Sequence, residues 1–175
     1  MTDLKGPVPA GAVELLANSL AFETEASERY AELADVMEAH NNDEVAEFFT
    51  TMSKVEGIHA QNLCKQAIEM GLGELPKFSS RWKAPDGPES IDFEDLHYMM
   101  SVRRALLLAR HNEERAVDFF QEIATQADSA ELRDLALEMA EEEREHVQLV
   151  DDWLLKHPED DDDWDDDPDE PSGQG

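Results

Sequence analysis

Residues 139–150 read MAEEEREHVQLV, and residues 52–63 read MSKVEGIHAQNL. Each stretch holds a Glu-x-x-His pair, Glu143/His146 and Glu56/His59, among apolar residues spaced by three and four. On a helix that spacing marks one face, so each acid and its imidazole lie one turn apart on the side to be buried. A carboxylate in an apolar core costs several kcal/mol unless it is neutralised, hydrogen-bonded or paired. Two such helices therefore predict a bundle with a polar layer inside it.

Random placement of 24 Glu and 6 His in 175 residues gives about one Glu-x-x-His pair, and three occur, so one pair alone is weak evidence. The third, Glu94/His97, falls in the first turn of its expected helix and reads as a solvated helix start. The other two differ in having an acid on the seam of the preceding helix: Glu23 before Glu56/His59, and Glu113 before Glu143/His146.

Outward from these motifs the chain divides into four helices. The first is expected over Ala12–Ala39, which has no Pro or Gly. After a turn at residues 40–43 (HNND), with Asp43 as N-cap, the second runs to about Met70 and stops at Gly71 and Gly73. Residues 71–91 hold three Pro and three Gly and cannot be one helix. The third helix is expected from about Asp92 to Gln126. The fourth spans about Ser129 to Lys156, with Asp128 and Glu131 resembling a capping box. The connections are short, long, short, which is the topology of a ferritin-like bundle with one long crossover between helices two and three.

Steps of four and three trace four seams. They are Leu16, Leu20, Glu23, Ser27, Tyr30, Ala34, Met37; Val45, Phe49, Met52, Glu56, His59, Leu63; Leu106, Arg110, Glu113, Val117, Phe120, Ala124; and Leu132, Ala136, Met139, Glu143, His146, Val150, Trp153. Each is mainly apolar and is interrupted near its middle by acid or imidazole. Four acids and two imidazoles in one layer call for positive charge between them, and two divalent irons supply four charges against four carboxylates. Oxygen and imidazole donors suit iron, manganese or zinc. A metal-free polar layer stays open as the alternative.

Composition agrees with an all-α chain: 41% of residues are hydrophobic, 7% aromatic, with 8 Gly and 8 Pro. The net charge of −29 repels nucleic acid and anionic membrane surfaces. One cysteine, Cys64, allows no intramolecular disulfide and no rubredoxin-type site, and it is expected to pack. No apolar run approaches the length of a membrane span, and residues 1–17 lack the pattern of a signal peptide, so a cytoplasmic location is expected. Residues 1–11 read as a lead-in, 12–158 as the bundle, and 159–175 as a disordered acidic tail.

The two halves also match each other. Residues 21–34 (AFETEASERYAELA) align with 109–124 (ARHNEERAVDFFQEIA), as the two opening stretches do. At these residues the sequence resembles the ferritin-like superfamily, and most closely the rubrerythrin-type diiron domains. The resemblance implies Glu23 and Glu113 as terminal carboxylates, Glu56 and Glu143 as bridges, and His59 and His146 as one ligand to each iron. It implies that Tyr30 is hydrogen-bonded to a ligand carboxylate. Full-length rubrerythrins add a rubredoxin domain, and this chain has no cysteines for one, so the electron donor is expected to be a separate protein. Where the family carries an extra carboxylate one turn before the third-helix ligand, this chain has Arg110, which leaves a six-ligand set closer to bacterioferritin. Phe120 stands for a second tyrosine.

The function so implied is a diiron oxidoreductase that oxidises ferrous iron, reduces O2 or peroxide, or both, working as a homodimer with iron (or manganese) as cofactor. A non-cage iron storage or delivery protein and a metal-free interaction module are the alternatives. Glu142 is the flanking acid closest to the seam, three residues from Met139 and four from His146. For residues 159–175, with Trp164 as the only large apolar side chain, burial cannot offset ordering entropy. Truncation after Pro158 should leave the melting temperature and helicity unchanged; a loss of more than a few degrees in a thermal melt would mean that the tail docks.

Overall fold

The computed structural model of the chain describes residues 9–72, 75 and 98–158. They form four helices: α1 (Ala12–Ala39), α2 (Asp43–Glu69), α3 (Val102–Gln126) and α4 (Ala130–Lys156). Among the described residues none of these is long and apolar enough to cross a membrane. The acidic tail after Pro158 lies outside the described residues.

The helix ends are set by local hydrogen bonding. At the end of α1 Asn41 takes a positive φ of 59°. The Asn42 N–H donates to Met37 O at 2.8 Å and the Asn41 N–H to Glu38 O at 3.0 Å. The end of α2 repeats this, with Gly71 at φ 73°. There the Leu72 N–H bonds Ala67 O and the Gly71 N–H bonds Ile68 O. Both are six-to-one, five-to-two closures that satisfy orphan carbonyls, and only Gly or Asn takes such a φ readily.

Three starts differ from expectation. Asp43 is the first residue of α2 rather than its cap. The α3 helix begins at Val102, not near Asp92, because Ser101 caps it by accepting from the Arg104 N–H. Residues 92–101 contain no Pro or Gly, so sequence alone held no stop signal. The Glu94/His97 pair lies outside the described residues. At α4 the cap is Ser129, which accepts from Leu132 N at 3.2 Å, and not Asp128.

Two apolar clusters show the topology. One joins the start of α1 (Leu15, Leu16), the end of α2 (Leu63, Ala67), the end of α3 (Phe120, Ile123) and the start of α4 (Leu132, Ala136). The other joins the end of α1 (Leu33, Met37), the start of α2 (Val45, Phe49), the start of α3 (Ala105, Leu106) and the end of α4 (Val150). Hence α1 runs parallel to α4, α2 runs parallel to α3, and each hairpin is antiparallel within itself. The chain leaves α2 at one end and enters α3 at the other, so the crossover spans the bundle length, as the ferritin-like topology requires. Its arrival is fixed by Asn42, whose Nδ2 donates to Met100 O at 2.9 Å.

Near the middle of α1 and α2 a reciprocal pair of hydrogen bonds ties the two helices together. Ser27 Oγ donates to Ser53 O and Ser53 Oγ donates to Ser27 O, both at 2.8 Å. A Cβ at Gly57 would stand 3.3 Å from Ser27 Oγ. Helix propensity favours replacing a mid-helix Gly by about 0.5–1 kcal/mol, whereas overpacking costs about 1–3 kcal/mol. Gly57→Leu should therefore lower stability by about 1–2 kcal/mol in a urea titration, packing outweighing propensity. An increase would mean that the helices part freely.

Candidate metal centre

Between the two apolar clusters lies a polar layer. Glu23, Glu56, Glu113, Glu143 and His146 are each no more than 3% exposed. His59 joins them from α2 with its side chain 13% exposed. All six expected donors thus come to the same level, one turn of helix from each other within the Glu-x-x-His pairs and across the bundle between them. The seams place them there because a period of three and four keeps one face inward over all 25 to 28 residues of each helix.

The side chains converge on His146. Its Nδ1 lies 3.3 Å from a carboxylate oxygen of each of Glu56, Glu113 and Glu143. Its Nε2 lies 3.3 Å from Nε2 of His59. The Tyr30 hydroxyl donates to Glu113 Oε1 at 2.7 Å, so the phenol does engage an expected ligand carboxylate. It is held there by its stack on Phe49.

The electrostatics follow from burial. Desolvation raises the Glu143 carboxyl to about 8, and the neighbouring Glu23 charge adds to this. Burial likewise raises Glu23, against a hydrogen bond with Glu56 and the charges of His146 and His59, which lower it. For His146, burial opposes the charged form, but hydrogen bonds to Glu113 and Glu143 override it and push the imidazole up to about 11. Arg110, traced on the third seam, instead turns outward to bond Asp151 at 2.6 Å and also Glu114.

The layer fits a metal. Glu56, Glu113 and His146 each offer a donor atom, all within 4.8 Å of one another. Glu23 Oε2 is buried without a hydrogen-bond partner. A cation would satisfy such atoms and offset the repulsion among four acids.

Other side chains on and beside the seams divide between core and surface. Met37, Met52 and Met139 are buried as core filler. Glu114, Glu141, Glu145 and His111 are exposed. Cys64, expected to pack, is exposed. Three buried polar residues escaped the seam argument: Asn18, Asn112 and Ser19, whose Oγ donates to Met139 Sδ. Asn18 and Asn112 are 2% and 3% exposed, and Asn18 Nδ2 and Asn112 Oδ1 lack hydrogen-bond partners. None of the three falls on a traced seam. Glu142, beside the fourth seam, has its Oε2 at 3.6 Å from His59 Nδ1.

Comparison with known proteins gives two matches. The chain matches the rubrerythrin family over residues 14–91 and 105–167. It is also similar to a crystal structure of an uncharacterised conserved protein from Magnetospirillum magnetotacticum MS-1. Identity is 40%, the match covers 83% of this chain and 94% of that one, and the TM-score is 0.62. No curated protein matches the chain.

The raised groups fix the sign of a pH effect in metal-free protein. Between pH 4.5 and about 8 the folded chain keeps a proton on Glu143 that the unfolded chain has lost. Between 6.5 and about 11 the same holds for His146. Both contributions are present at low pH and are lost as pH rises through these windows. Chelated protein should therefore melt lower at pH 8.5 than at pH 5.5. Glu143→Gln, neutral at every pH, should flatten that slope, and an unchanged slope would count against the buried layer as its source.

Proposed function

The chain belongs to the rubrerythrin family, and on that premise we propose that it is a diiron oxidoreductase acting on O2 or peroxide. The observation that supports this most is the grouping of Glu56, Glu113 and His146 as buried donors at the level where Glu23, Glu143 and His59 also lie. In this proposal those six residues hold two iron ions, and manganese would accept the same donors. Bound iron would supply the electron transfer that no side chain here performs.

The chain's own residues supply the rest. Glu56 and Glu143, from α2 and α4, would be the bridging carboxylates, with Glu23 and Glu113 as terminal ones. The Tyr30 hydroxyl donates to one oxygen of Glu113, which fixes the carboxylate's rotation and leaves its other oxygen facing the layer. The apolar clusters on either side keep bulk water from the donors and strengthen every charge interaction among them. In this reading electrons come from a separate donor protein. The chain works in the cytoplasm as a homodimer.

The ten acidic residues among 159–170 favour a second reading, in which ferrous iron is substrate rather than cofactor and is oxidised and passed on. Peroxide turnover with a reductant supports the first reading, and accumulation of more than two irons per chain supports the second.

Anaerobic titration with ferrous iron should give two ions per chain, followed by a near-ultraviolet absorbance change on adding O2 or peroxide. Glu56→Ala and Glu143→Ala, each removing a bridge, should bind well below two and lose rapid oxidation. His59→Ala and His146→Ala should be milder, since each removes one terminal ligand. Glu94→Ala breaks a Glu-x-x-His pair off the traced seams and should behave as wild type. Normal iron binding by Glu143→Ala would sink the assignment.

A further inference from the structure

We propose that Glu142 is a seventh metal donor, acting with His59 Nδ1, and that it makes the two metal positions unequal. This rests on the diiron reading above. The two imidazoles, matched in sequence, are set differently in space. His146 turns Nδ1 to the three carboxylates and Nε2 to His59. His59 answers with its own Nε2, so its Nδ1 faces away from that group, and the carboxylate it meets is Glu142, at 3.6 Å.

That Nδ1 is buried and makes no hydrogen bond. A gap of 3.6 Å is too wide for one, yet it suits two donors of a single cation, since each sits about 2.0–2.2 Å from the ion. Glu23 is the acid of the layer on which the His59 charge acts, and its own Oε2 is buried without a hydrogen-bond partner. Arg144, the nearest cation in sequence, pairs with Glu141 at 2.7 Å, so it does not compete for Glu142.

The two donor groups also differ in depth. Glu56, Glu113 and His146 are at most 2% exposed. The side chains of His59 and Glu142 are 13% and 31% exposed. The deep position therefore binds more tightly and holds its ion out of water, and the outer position faces solvent across α2 and α4. The internal repeat does not produce this: Val55 stands at the position of the first half that matches Glu142.

The test is a cobalt(II) titration of the full chain, followed by the visible absorption of the bound ion. Wild type should take up two ions in two resolved steps. Glu142→Ala should keep the first step and weaken the second roughly tenfold or more. Glu142→Gln, which keeps the size and polarity but not the charge, should also weaken the second step. Glu145→Ala, an exposed acid on the same helix, should change neither. An unaltered second step in Glu142→Ala overturns the proposal. So does loss in Glu142→Ala with full recovery in Glu142→Gln, which would make Glu142 a support for the His59 ring only. Failure of wild type to bind two cobalt ions would overturn the diiron reading instead, and so is distinguishable.

Discussion

Mutual repulsion among Glu23, Glu56, Glu113 and Glu143 is the constraint on which the molecule depends. Four carboxylates packed between two apolar clusters are tolerable only as a set: protonated, bonded to His146, or bound to cations. The raised carboxyls of Glu143 and Glu23 and the raised imidazole of His146 express that same constraint in the absence of metal. An ordinary helical bundle would place Leu at these four positions and be more stable. Their retention at the level where all four helices pass is what gives the chain a site at all.

The structure also separates charges that matter from those that do not. Among the described residues most acids lie on solvated helix faces, and pairs such as Arg144–Glu141 and Arg110–Asp151 stay at the surface, where such pairs add little to stability. The acids on the seams stand apart because their surroundings are apolar and no Lys or Arg is among the charges acting most on Glu23 and Glu143.

Much of this was legible in the sequence, for a physical reason. A buried helix face repeats every three to four residues, so Glu23, Glu56, Glu113, Glu143 and His146 betrayed themselves by interrupting otherwise apolar seams. The first helix was legible to the residue, since Asn41 and the prolines of the lead-in bound it on both sides. What was not legible depends on contacts across the bundle or on single caps. Ser101 ends the run-in to α3 without any Pro or Gly to announce it. Glu142 lies one position off its seam, and its approach to 3.6 Å from His59 Nδ1 depends on how α2 and α4 pack. Cys64 was misplaced for the same reason: a residue beside a seam points either way, and helix rotation decides.

The placement of Asn42 and Tyr30 has a consequence for the order of assembly. Each hairpin consists of local contacts, which form early and cheaply in chains of low contact order. By contrast, Asn42 reaches Met100 across 58 residues and Tyr30 reaches Glu113 across 83. Neither hairpin alone owns a complete donor set, since His146 on one meets Glu56 on the other. Closing the intervening loop costs entropy that grows only logarithmically with its length, so a long crossover is a small burden. The late step is therefore docking of two preformed hairpins, and it is at that step that the acids first meet. Docking and neutralisation of the acids are thus coupled, and conditions that leave the acids charged and unpaired should slow the final association of the halves more than the formation of either one.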